Sequence, residues 1–243
     1  MEELSGKRAI VFGASSGVGA ATARRFAEAG AEVVLTGRDA GRLEEARAQA
    51  GPRAMAAVLD GKDAAAVRAF FDEQPAFHHV VVAAGQTSRG GPITSELTIE
   101  RFRETFEGKF WVQMNVVHAA APRLERGGSI TLISGGAAHR ALVGMVNVAA
   151  VNGALEATLG PLARELAPTR VNAISPGTLH TGYWRGVPDE QLEAIFRRTA
   201  DALPAGRVGT AEDIAQAALF LAQNSFITGT VVQVDGGIQH SSL

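Results

Sequence analysis

The chain has 243 residues, 46% of them apolar, and a formal net charge of −2. A balance so near neutral offers no basic field for nucleic acid or an acidic membrane surface. Cysteine is absent, which removes disulfides, thiolate nucleophiles and cysteine-based metal sites. No apolar run is long enough to span a bilayer. The opening "MEELSGKRAIVFG" is acidic and enters a strand at once, unlike a signal peptide. A soluble, cytoplasmic protein is expected. No metal site is expected either, since His78–His79, just before a strand, make a poor pair for one ion.

In chain order, short β-branched runs alternate with stretches of helical period. The strands are expected at Arg8–Phe12, Glu32–Thr36, Ala54–Leu59, Val80–Ala84, Ser129–Ile133, Arg170–Ile174 and Val231–Val234. Helices are expected near Val18–Ala29, Arg42–Ala50, Ala64–Asp72, Ile99–Ala120, Val148–Leu166, Asp189–Ala202 and Ala211–Leu221. Runs such as "AIVF" and "HVVVAA" are apolar throughout, as strands are when helices cover both faces of a parallel sheet. The alternation predicts one α/β domain over 1–243. It is a Rossmann-type doubly wound parallel sheet of about seven strands. Pro161, inside the fifth helix, should kink it.

The first strand runs into "GASSGVGAATARRFAEAG". Gly13 permits a tight turn, Gly17 lets backbone approach a pyrophosphate, and Gly19 lets the new helix pack against the sheet. Ser15, Ser16 and Val18 complete the turn, and the helix N-terminus favours negative charge. After the second strand comes "VVLTGRD". A carboxylate at that strand's end would take ribose hydroxyls, but Gly37 stands there and Arg38 follows. A guanidinium can bind a 2′-phosphate in bidentate fashion. NADP(H) is therefore expected in preference to NAD(H), with Asp39 as the cap of the next helix.

The spacing Gly-x-x-x-Gly-x-Gly resembles that of the short-chain dehydrogenase/reductase family. So do "AAG" at 83–85, "GSITLIS" at 128–134, "LARELAPTRVNAISPG" at 162–177, "GRVGTAEDIAQAALFLA" at 206–222 and "TGTVVQVDGG" at 228–237. The resemblance covers essentially the whole chain. It implies that Asp60 holds the adenine amino group and that Ala83, Ala84 and Gly85 line the adenosine side. It also implies that Pro176, Gly177 and Thr181 embrace the nicotinamide, and that 178–205 covers a small-molecule substrate. A homodimer or homotetramer is implied as well, through the fourth and fifth helices and the last strand.

The same resemblance implies a Ser and a Tyr at the substrate oxygen, a Lys that lowers the Tyr pKa, and an Asn on the neighbouring helix. Flanking matches place those positions at Gly135 (next to Ser134), Val148, Asn152 and Lys109. Valine cannot donate a proton, and the single tyrosine, Tyr183, lies far along the chain. Yet an amine and an amide still occupy two of the places, with their helices exchanged. Lys109, Ser134, Asn152 and Tyr183 are thus the candidate catalytic residues, with His139 at the mouth of the cleft as another acid. An NADP(H)-dependent oxidoreductase on a small carbonyl or alcohol is the leading expectation. A non-catalytic NADP(H)-binding protein and a non-redox enzyme on the same fold are the alternatives.

Overall fold

A computed structural model describes residues 4–87, 90–184 and 186–241, and of Tyr183 the backbone alone. The chain runs β1 (Arg8–Phe12), α1 (Gly17–Glu28), β2 (Glu32–Gly37), α2 (Ala40–Ala50), β3 (Ala54–Val58), α3 (Ala64–Glu73) and β4 (Phe77–Val82). It continues through α4 (Ile99–Thr105), α5 (Trp111–Ala120), β5 (Leu124–Ile133), α6 (Val146–Ala157), α7 (Leu159–Glu165) and β6 (Arg170–Pro176). The last part holds β7 (Leu179–His180), α8 (Asp189–Ala202), β8 (Gly209–Thr210), α9 (Ala211–Gln223) and β9 (Val231–Val234). Seven strands form one sheet in the order β3-β2-β1-β4-β5-β6-β9, and all neighbours are parallel. The expected doubly wound architecture is the one observed. The strand order reverses between β1 and β4, and a crevice opens there beyond the carboxyl ends of the strands.

Each sheet face carries its own core. Val11, Val33 and Leu35 pack with Phe26, Leu43, Ile214 and Leu221. Ile10, Phe12 and Val34 pack on the other side with Phe71, Val116, Leu155 and Leu159. Successive residues of one strand serve opposite layers, which is why those strands read as continuous apolar runs. Asp39 caps α2, its Oδ1 accepting from the Arg42 N–H at 3.0 Å.

Four expectations change, the first being the fifth strand, which begins at Leu124 rather than Ser129. The fourth strand begins at Phe77 and ends at Val82, earlier than the apolar run suggested. The helix expected over Ile99–Ala120 is interrupted by a π-helical turn, Phe106–Phe110. The helix expected over Val148–Leu166 divides at Thr158 into α6 and α7. Pro161 explains that division: it has no N–H for the Ala157 carbonyl, and its ring crowds that oxygen. A short pair, β7 with β8, was not anticipated; two-residue strands leave no periodic trace. No helix among the described residues is long and apolar enough to cross a membrane.

Candidate active site

The crevice has two ends of different construction. At the first, β1 stops at Phe12 and the chain turns at Gly13, whose φ is 78°. A Cβ there would stand 2.6 Å from the backbone nitrogen of Ala84, and one on Gly19 would collide with the carbonyl oxygen of Gly13. Both glycines are required by close backbone approach. Gly17 differs. With φ 55° it opens α1, and the nearest atom to its added Cβ would be Thr181 Cβ at 3.9 Å. Ser16, at the N-cap, makes no capping side-chain bond. The first turn of α1 thus faces open space, the arrangement that binds phosphate oxygens.

A cavity of about 630 Å³ adjoins this turn. Gly13, Ser15, Ser16, Arg38, Asp60, Ala84 and Gly85, all expected from the sequence, line it. So do Thr36, Lys62 and Gln86, which were not. Arg38 is exposed. A Cβ on Gly37 would lie 3.2 Å from Ser15 Cβ and 3.4 Å from Leu43 Cδ1. A longer acidic side chain would displace them. Asp60 Oδ1 accepts from the Lys62 N–H at 3.0 Å, which fixes the carboxyl at the cavity edge. Gly17, Val18 and Gly19 belong to the adjoining turn. Pro176, Gly177 and Thr181 lie outside the cavity lining, at and beyond the end of β6, where Pro176 abuts Gly136.

The second end is made of side chains. Lys109 sits in the π turn, and this turn re-aims it. Gly108 makes the approach possible, since its Cβ would collide with the Gln86 carbonyl oxygen. Lys109 then passes against Gly85 and reaches two acceptors. Its Nζ donates to the Ser134 carbonyl oxygen at 2.7 Å and to Asn152 Oδ1 at 2.7 Å. The sequence expected an amine and an amide facing one cleft, and they are in direct contact. Burial pushes the Lys109 amine down to about 8, against the opposing pull of the Glu156 carboxylate. Gln113, one turn further on, clasps both the N–H and the carbonyl of Ile133 and so anchors the end of β5.

Ser134 is buried and its hydroxyl donates to Glu156 Oε1 at 2.7 Å. It therefore meets Lys109 through its carbonyl oxygen, whereas the sequence reading gave its hydroxyl to substrate. Gly135 carries no side chain, and a Cβ there would stand 2.9 Å from Asn152 Nδ2. Val148 is partly buried on α6. His139, exposed in the turn after β5, places Nε2 2.9 Å from Glu156 Oε2. Glu156 was missed. The signal was present in "VNVAAVNGALEA", because residues 148, 152 and 156 share one helix face. The side chain of Tyr183 lies outside the described residues. Nearby, Trp184 Nε1 donates to the Leu179 carbonyl at 2.8 Å. The Trp184 and His180 rings both stand edge-on to Phe196.

The chain that builds this crevice matches known proteins over nearly its whole length. A family model described as enoyl-(acyl carrier protein) reductase matches residues 13–239. The chain belongs to the short-chain dehydrogenase/reductase family. Among curated relatives, an uncharacterized oxidoreductase of Methylorubrum extorquens is 34% identical, over 98% of this chain and all of its own. The 3-oxoacyl-[acyl-carrier-protein] reductase of Chlamydia muridarum is 33% identical over 97% of this chain and 98% of its own. A solved small-chain dehydrogenase in complex with NADPH is 35% identical, covers 97% of this chain and 99% of its own, and superimposes with a TM-score of 0.84.

A short-chain dehydrogenase/reductase is an oxidoreductase with a nucleotide cofactor, and the residues here fit one. The open space over Gly17, the uncapped first turn of α1 and the adjoining cavity suit a pyrophosphate and an adenosine. Ser15, Ser16 and the α1 N–H groups would hold the phosphates, and Asp60 the adenine.

Proposed function

We propose that the protein is an NADP(H)-dependent oxidoreductase acting on a small carbonyl or alcohol, with Lys109 as its proton donor. The Lys109–Asn152 contact at 2.7 Å carries this reading. The family's usual acid position holds Val148, so a proton must come from elsewhere. When bound, a reduced nicotinamide supplies hydride to the carbonyl carbon. The chain supplies the proton to the oxygen. An amine with pKa about 8 is protonated at neutral pH and gives its proton up readily, as a general acid must. Asn152 Oδ1 and the Ser134 carbonyl fix the amine's direction.

Preference for NADP(H) is supported by Arg38 at the cavity edge, by the absence of a carboxylate at position 37, where glycine stands, and by the relative solved with NADPH. The aromatic group of His180, Trp184 and Phe196 supports a substrate-covering role for 178–205. Exposed Ile99 and Trp111 on α4 and α5 support a homo-oligomer.

A second reading, an NADP(H)-binding protein without turnover, is favoured by Val148 alone. One experiment separates the two. A set of small ketones and aldehydes is incubated with NADPH while cofactor oxidation and alcohol product are followed together. Stoichiometric alcohol is expected. Tight NADPH binding with no product from any carbonyl sinks the oxidoreductase reading.

A further inference from the structure

Behind the Lys109–Asn152 contact lies a carboxylate that the proton donor's role does not itself require. Glu156 is on α6, one turn beyond Asn152, and its side chain is only 11% exposed. A carboxylate so enclosed needs partners, and it has two. Ser134 Oγ donates to Oε1 at 2.7 Å, and His139 Nε2 lies 2.9 Å from Oε2. Ser134 joins the two halves. Its hydroxyl holds the carboxylate while its carbonyl oxygen accepts from Lys109 Nζ at 2.7 Å.

We propose that Glu156 is a positioning residue for Lys109, its negative charge keeping the enclosed amine in the ammonium form while His139 tethers the carboxylate from the turn at the cleft mouth. The proposal rests on the reading of Lys109 as proton donor. The loop after β4 contributes the backbone of Gly85, and β5 contributes the Ser134 carbonyl. On the lysine's own segment, Glu104 and Glu107 are exposed. From α6 come the neutral Asn152 amide and Glu156. The Glu156 charge opposes the effect of burial on the amine. Facing Glu156 itself are Ser134, His139 and, across Ser134, Lys109. One serine separates the carboxylate from the amine, and a nearby opposite charge favours the charged form of a group, by about one pH unit or more at short range.

The direct test uses protein labelled with ¹³C-lysine and free of nucleotide. The chain has only three lysines, Lys7, Lys62 and Lys109. Lys7→Arg and Lys62→Arg therefore assign the third ε-carbon. Glu156→Gln should lower the Lys109 midpoint by about one pH unit, while Glu156→Asp should keep most of the original value. An unchanged midpoint in folded Glu156→Gln overturns the proposal. The unmodified protein labelled with ¹³C-glutamate gives an independent check, because the ¹³Cδ of Glu156 should inflect at the midpoint of Lys109; no such inflection also overturns the proposal. The pH profile of carbonyl reduction is then recorded for the same variants. An alkaline limb that moves with the amine supports both statements. An amine that moves while the limb stays leaves Glu156 in its role and removes Lys109 as proton donor.

Discussion

The two ends of the crevice follow different building rules. The nucleotide end is made of backbone: Gly13 and Gly19 are there for what they lack, since a Cβ on either would collide with main-chain atoms, and Gly17 leaves open space over the first turn of α1. The proposed proton end is made of side chains, in which Lys109, Asn152, Ser134, Glu156 and His139 hold one another by polar contacts of 2.7–2.9 Å. A backbone-built site tolerates almost no substitution, because nothing can move aside. A side-chain-built site can be rebuilt, since a long flexible side chain such as lysine's can reach one point from more than one position. Under the proposed function, this difference accounts for a nucleotide end that keeps the family's spacing beside a proton end that does not.

The largest test of that contrast is Gly13→Val. Its Cβ would lie 2.6 Å from backbone, so nucleotide binding should fall beyond detection in fluorescence titration, with a lower melting temperature. Normal NADPH binding in this variant would break the comparison. Next, Lys109→Met should cut carbonyl reduction about 100- to 10,000-fold, the usual loss with a general acid, while the Kd for NADPH changes only a few-fold. Equal loss of binding and turnover would place Lys109 in the nucleotide end instead. Arg38→Ala should weaken NADPH by roughly 10- to 100-fold, as expected for charge-assisted hydrogen bonds, and leave NADH nearly unaffected. Isothermal titration with both cofactors checks this. The smallest effect is on pH. Burial holds the Lys109 amine at about 8. Reduction needs the protonated form, so its rate should be level below that pH and fall about tenfold per unit above it. A flat profile from pH 6 to 10 would sharpen the comparison against Lys109.

How much was legible in the sequence follows the same division. Parallel strands announced themselves as apolar runs, and the glycine turn by its spacing, because backbone constraints leave marks at fixed intervals. The Lys109–Asn152 pairing was legible only as two residue types standing in each other's expected places. Glu156 was not seen, since a glutamate in an apolar helix looks like a solvated residue until β5 and the turn at 136–139 close over it. Ser134 was placed on the right strand, but a sequence carries no sign of which of its oxygens faces the amine. Pro161 marked the division between α6 and α7 plainly. The π turn had no comparable marker beyond Gly108.

That π turn has a consequence for the bookkeeping of residues along the chain. A π-helical turn holds one residue more than an α-helical turn between the same hydrogen-bonded ends. Deleting a single residue within Phe106–Phe110 would let α4 and α5 fuse into one continuous helix. Because the wide turn absorbs the extra residue, α4 and α5 would keep nearly their present faces and the change would be confined to the turn itself. Lys109 lies inside that turn, so its direction toward Asn152 is what the deletion would alter. A length change of one residue, harmless in most surface loops, would here act as a switch between two different proton ends on an otherwise unaltered fold.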